Sequence, residues 1–172
     1  LSGFINGMLG RAYMQIGNLE ECINCSKLGL SIVEETNDKD NMPYALTGVG
    51  VAYFYKKEYQ QAGIYLTKSL SKIKENDTFD IRNLLSNLIY LNLTFKKQSK
   101  KYDQKKVINI IKNNKISYPP YMRITYNFSL YKLLEKKSYL KDSYDIVQTN
   151  LDFMKDDIKE KYKNYPIPKQ II

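Results

Sequence analysis

The sequence predicts an all-α chain, a right-handed superhelical stack of about four helix hairpins of the α-solenoid type. Three observations carry that expectation. Two stretches repeat each other at an offset of 40 residues, apolar residues recur at helical spacing from end to end, and Gly (8) and Pro (5) are confined to a few places.

The repeat is clearest in the first half. Leu9-Gly10-Arg11-Ala12-Tyr13, followed by Gly17-Asn18-Leu19-Glu20-Glu21-Cys22, overlays Val49-Gly50-Val51-Ala52-Tyr53, followed by Lys57-Glu58-Tyr59-Gln60-Gln61-Ala62. Gly10 and Gly50, Cys22 and Ala62, and Gly29 and Ser69 fall in matching places. Small residues there let two helix backbones approach each other. The rhythm continues more faintly through Leu88, Leu91 and Phe95 to Tyr102-Asp103, and through Leu130 and Leu134 to Ser138-Tyr139, where the Gly and the small contacts are missing.

The element order follows from punctuation. Asn18 with Glu21 three residues on reads as a helix cap, and Pro43 sits near a helix start. Joints fall at residues 37–41, at Glu75-Asn76-Asp77 and at Ser117-Tyr118-Pro119-Pro120. Eight helices of roughly 14 to 18 residues result. They group into units of about 3–36, 42–76, 79–114 and 119–157 within a domain over 1–163, leaving 164–172, with Pro166 and Pro168, as a flexible tail. A chain that opens on Leu1 is expected to lack an N-terminal domain.

Composition narrows the function. No stretch approaches the ~18 unbroken apolar residues of a membrane span, so a soluble, cytoplasmic protein is expected. Cys22 and Cys25 have no second pair to form a disulfide framework, and without His a lone CxxC leaves a zinc site short of ligands. Cys22 occupies the slot of Ala62, which points to small size rather than redox chemistry. With no nucleophile elbow and no phosphate-cradling Gly loop, neither an enzyme nor a cofactor is expected.

The net charge of +9 is uneven: residues 1–80 carry 8 Lys+Arg against 10 Asp+Glu, and residues 81–172 carry 19 against 8. The lysines come as scattered pairs at helix ends, and the arginines number only three, Arg11, Arg82 and Arg123. Nucleic-acid readout leans on the Arg fork, so direct nucleic-acid binding is disfavoured. Its best case is the basic half, where Tyr90, Tyr102, Tyr118 and Tyr121 lie among lysines and could stack bases.

The Leu-Gly…Tyr and Gly-Asn-Leu pattern resembles the tetratricopeptide repeat. Unit one departs from it at Asn6, where a large aromatic is usual, and unit two departs at Lys57, where the turn Gly is usual. The 40-residue period exceeds the ~34 residues of that repeat. In a composition rich in Lys, Asn, Ile and Tyr, the chain looks like the C-terminal repeat domains of the Rgg, PlcR and NprR group of peptide-sensing bacterial transcription factors. The resemblance implies a concave groove that binds a short signal peptide, and a helix-turn-helix domain upstream.

Carrying over the repeat's groove-facing positions gives Phe4, Gly7, Arg11, Met14 and Gln15 in unit one, and Tyr44, Thr47, Val51, Phe54 and Tyr55 in unit two. Asn83, Asn87 and Asn127 fall on the first helices of units three and four, where an amide can hold a peptide backbone. Arg11 suits a ligand carboxylate. The expected partner is a short peptide or a protein tail, a homodimer is compatible, and the alternative is a passive scaffold that docks proteins without switching.

Overall fold

The computed structural model describes residues 2–73, 81–114, 116 and 118–172. The Glu75-Asn76-Asp77 joint, Ser117 and the Tyr121 side chain lie outside the described residues. The described residues form ten helices and no strand: α1 (Gly3–Ile16), α2 (Leu19–Glu35), α3 (Met42–Tyr55), α4 (Tyr59–Lys72), α5 (Ile81–Lys97), α6 (Lys105–Asn113), α7 (Pro120–Leu134), α8 (Lys137–Asp152), α9 (Asp156–Lys163) and α10 (Pro168–Ile171). α2 packs on α3, α3 on α4, α4 on α5 and α5 on α6, and α7 packs on α8, as short joints require.

The chain divides into two compact units. One comprises Leu1–Met14 and Asn18–Ile116, the other Gln15–Gly17 and Ser117–Ile172. In the first unit, α1 meets α2 through glycines. A Cβ on Gly10 would stand 2.5 Å from the Ser26 hydroxyl and 3.1 Å from the Cys22 carbonyl, and one on Gly29 would stand 2.9 Å from the Gly3 carbonyl. Gly50 has the same relation to Leu66, at 2.6 Å. At Gly10 and Gly50 the 40-residue offset thus marks places where a side chain would push two helices apart.

Caps and turns set the ends. Asn18 accepts a hydrogen bond from the Glu21 N–H at 3.3 Å, and Pro43 stands in the first turn of α3, where its missing N–H costs nothing. The first helix of each pair ends on a left-handed residue: Gly17 (φ 87°), Lys57 (67°), Ser99 (55°) and Glu135 (58°). Three of these joints close with the same bond, from the N–H of Asn18 to Tyr13 O, of Glu58 to Tyr53 O and of Lys100 to Phe95 O, at 2.9–3.0 Å. The fourth closes one residue tighter, from the Glu135 N–H to Tyr131 O at 2.8 Å. The joint geometry persists where the glycine does not.

α5 is buried nearly all round, with every residue from Leu85 to Thr94 in the interior. Such a helix holds the middle of a core rather than an edge of it. α6 is shorter than expected, ending at Asn113. A hydrogen bond from the Asp103 N–H to Asn92 Oδ1 at 2.9 Å ties the α5–α6 joint to α5.

In the second unit, α7 packs on α8. Ser143 lies wholly buried, its hydroxyl 3.0 Å from Tyr139 O and 3.4 Å from Ile124 O. The expectation that this hairpin lacks a small contact residue is corrected by Ser143. Residues 164–172, expected as a flexible tail, carry α10, where Pro168 starts the helix and Ile167 and Ile171 are buried. Gln170 accepts from the Lys132 ammonium at 2.7 Å, and Lys132 lies 4.3 Å over the Phe128 ring.

Candidate binding surface on the first helices

The first helices of the two strongest repeats present matching faces. On α1, Phe4, Met8 and Arg11 follow one another at helical spacing and are exposed, Phe4 to 64%. Forty residues on, Tyr44, Gly48 and Val51 hold the corresponding places on α3, each half-buried. A Cβ on Gly7 or Gly48 would meet nothing within 4 Å, so the surface beside these side chains is open. Each face is apolar and aromatic, and the two share a single guanidinium, that of Arg11. Such a strip can take aliphatic side chains and, at Arg11, a carboxylate.

The other expected contacts part company with this strip. Met14, Thr47, Asn83 and Asn87 are buried and offer no surface to a ligand. Thr47 and Asn87 belong to one interior hydrogen-bond chain. The Ser69 hydroxyl donates to Pro43 O at 2.8 Å, which leaves the Thr47 hydroxyl to donate to Ser69 Oγ at 2.8 Å. Asn87 Nδ2 donates to Thr47 Oγ1 at 3.3 Å and to Leu66 O at 2.9 Å. The Leu66 carbonyl can only accept, which fixes the amide orientation. The chain joins α3, α4 and α5.

Asn83 and Asn87 each keep an Oδ1 with no hydrogen-bond partner among the described residues, at a cost of about 1–3 kcal/mol apiece. Polar residues on a first helix read as groove-facing in sequence. Here the packing of α5 against α3 and α4 turns them inward.

Phe54 and Tyr55 join an aromatic cluster. The Phe54 ring lies 5.4 Å from Tyr90 and 5.7 Å from Tyr59, and the Tyr55 and Tyr90 hydroxyls are 3.0 Å apart. These rings pack α3 on α4 and α5, which leaves Tyr55 only half-exposed at the edge of the strip. The sequence around Tyr90 shows only a basic neighbourhood. Its spacing of 35 residues from Tyr55 gives no local signal of the pairing.

Gln15 and Asn127 are half-buried in the second unit. Asn127 follows Tyr126, whose ring stacks on Tyr118 at 4.0 Å. Stacking on its own chain occupies one face of the Tyr118 ring.

Both cysteines resist ionisation. Burial pushes the Cys22 thiol up to about 11, the Ser26 hydrogen bond opposing it and Cys25 adding to it, so a thiolate is disfavoured at neutral pH. Cys25 is raised too, by burial and then by Glu21. Among the described residues no three His, Cys, Asp or Glu side chains gather as a metal site would need, and no helix is long and apolar enough to cross a membrane. No family model, curated protein or solved structure matches this chain.

Proposed function

We propose that this chain is a peptide-binding module of stacked helix hairpins, of the tetratricopeptide kind, and that it acts as a cytoplasmic regulatory domain. One observation carries the reading: the equivalent faces of α1 and α3, with Phe4, Met8 and Arg11 on one and Tyr44, Gly48 and Val51 on the other, repeat an open, nearly uncharged strip. A solenoid presents first helices on its concave side, and such a strip suits an extended peptide with apolar side chains and a carboxylate. A role in transcription through an upstream DNA-binding domain is supported by the resemblance of the repeat pattern alone. Ligand control would act by favouring one curvature of the stack over another.

The chain has no Trp, so the emission of a short Trp-bearing apolar peptide is read against tyrosine alone. Saturable binding is expected, with Arg11→Ala and Tyr44→Ala each weakening it about tenfold, equivalent to 1.4 kcal/mol. At 100 times its dissociation constant the peptide should add about 2.7 kcal/mol of stability. Failure of a diverse peptide pool to bind, or binding indifferent to both substitutions, would replace this reading with a passive scaffold.

A further inference from the structure

The α5–α6 joint concentrates charge. Residues 96–106 hold six lysines and one carboxylate, Asp103, and Lys97, Lys100, Lys101, Lys105 and Lys106 are exposed. The backbone that carries them is tied at both ends. The Lys100 N–H donates to Phe95 O at 2.9 Å, and the Asp103 N–H donates to Oδ1 of the buried Asn92 at 2.9 Å. Asp103 in turn accepts from the Lys105 N–H at 2.8 Å, at the start of α6. Six like charges on one short joint repel one another, and an arriving anion relieves that repulsion.

The α3–α4 joint shows how the same place in the fold is neutralised. There Lys56 meets Glu58 of its own joint and Glu20 of α2, the preceding second helix, both at 3.2 Å. Aligned on the left-handed residues Lys57 and Ser99, Lys56 becomes Gln98 and Glu58 becomes Lys100, and the 40-residue counterpart of Glu20 is Gln60. The α5–α6 joint thus gains lysines and loses both carboxylates. Among the described residues no carboxylate lies within ion-pairing distance of Lys97, Lys100, Lys101 or Lys105.

The surroundings of the joint choose among anions. A membrane surface is held best where something apolar inserts, and among the described residues from 95 to 112 no large hydrophobic side chain is exposed. A nucleic acid favours open aromatic faces or the Arg fork. Tyr90 is buried, Tyr102 is half-buried, Tyr118 is stacked on Tyr126, and residues 96–106 contain no Arg. A second copy of the chain is opposed by the net charge of +9. Carboxylates are what the fold itself sets against lysine at the equivalent joint.

We propose that the α5–α6 joint binds an extended segment of a partner protein rich in Asp and Glu, whose carboxylates take the places that Glu20 and Glu58 hold at the α3–α4 joint. This surface is separate from the peptide strip, which lies on α1 and α3 and is nearly uncharged.

The test titrates the whole chain into a fluorescein-labelled oligoglutamate peptide. Saturable binding is expected, weakened about tenfold or more by Lys101→Glu with Lys105→Glu, and weakened as salt rises past about 0.1 M, where the Debye length is about 10 Å. Both positions are exposed, and Glu in the first turn of α6 suits the helix dipole, so the melting temperature of this variant should match or exceed the parent's. Lys136→Glu with Lys137→Glu makes the same change of charge at the start of α8 and should leave the binding close to the parent's.

No saturation up to about 1 mM peptide overturns the proposal. An equal loss in the α8 variant also overturns it, because net charge alone would then account for the binding. So does tighter binding of an oligothymidylate of the same charge, or co-sedimentation with phosphatidylserine vesicles that Lys101→Glu with Lys105→Glu abolishes, because the occupant would then carry phosphate. A dimer of the chain that the same variant dissociates overturns it in favour of a second copy. Arg11→Ala and Tyr44→Ala should leave this binding intact, so failure here and failure of the peptide strip are read separately.

Discussion

The first and second hairpins solve one packing problem in two ways. Where a Cβ on Gly29 of α2 would stand 2.9 Å from the Gly3 carbonyl and 3.3 Å from the Gly7 amide, Ser69 of α4 faces the equivalent Pro43 carbonyl and Thr47. The first hairpin closes by removing side chains, and backbone touches backbone. The second keeps them and fills the space with hydroxyls that satisfy one another. Equivalent positions in a repeat therefore share a demand, small size at a crossing, rather than a residue or an interaction.

That comparison can be broken from either side. The largest effect is expected at the end of the hydroxyl chain. Asn87→Ala leaves the Leu66 carbonyl and Thr47 without their donor and opens a cavity, and should cost about 3 kcal/mol in denaturant unfolding. A loss below 1 kcal/mol would mean that the chain is incidental to the packing. Next, Gly29→Ala puts a methyl 2.9 Å from the Gly3 carbonyl, where backbone must move, at a cost of about 2 kcal/mol. Equal tolerance of alanine at Gly29 and at Ser69 would erase the distinction between the hairpins.

The smallest effect comes at the joints. Lys57 holds a left-handed backbone that Gly17 adopts freely at the equivalent place, so Lys57→Gly should gain about 0.5 kcal/mol once the greater freedom of the unfolded glycine is offset. A lower melting temperature in that variant would show that the Lys56 pairs with Glu20 and Glu58, both 3.2 Å, depend on the lysine that follows.

Close contacts were the most legible part of the fold. Gly10 and Gly50, and Cys22 and Ala62, announce themselves because a helix crossing tolerates nothing larger, and that demand acts at a fixed offset. The joints were legible only at Gly17. Lys57, Ser99 and Glu135 adopt its conformation without its composition, since the closing hydrogen bond can hold an ordinary residue there at modest strain.

The candidate surface divided along the same line. Phe4, Arg11, Tyr44 and Val51 depend only on their place on one helix face, and they remain open or half-open. Thr47, Asn83 and Asn87 depend on what a third helix covers. No local pattern encodes that, because a polar residue on a first helix looks the same whether water or α5 lies against it. Pro166 and Pro168 misled for a related reason: proline ends one helix and starts another, and only the burial of Ile167 and Ile171 decides which.

The burial of α5 from Leu85 to Thr94 bears on how the first unit opens. Amide protons exchange with solvent through local unfolding, and a helix with no wet side cannot fray sideways, so its protons should leave only when the whole unit comes apart. α1, with an open face, should exchange through a much cheaper local event. α5 is thus the slowest clock of the first unit, and α1 a fast one.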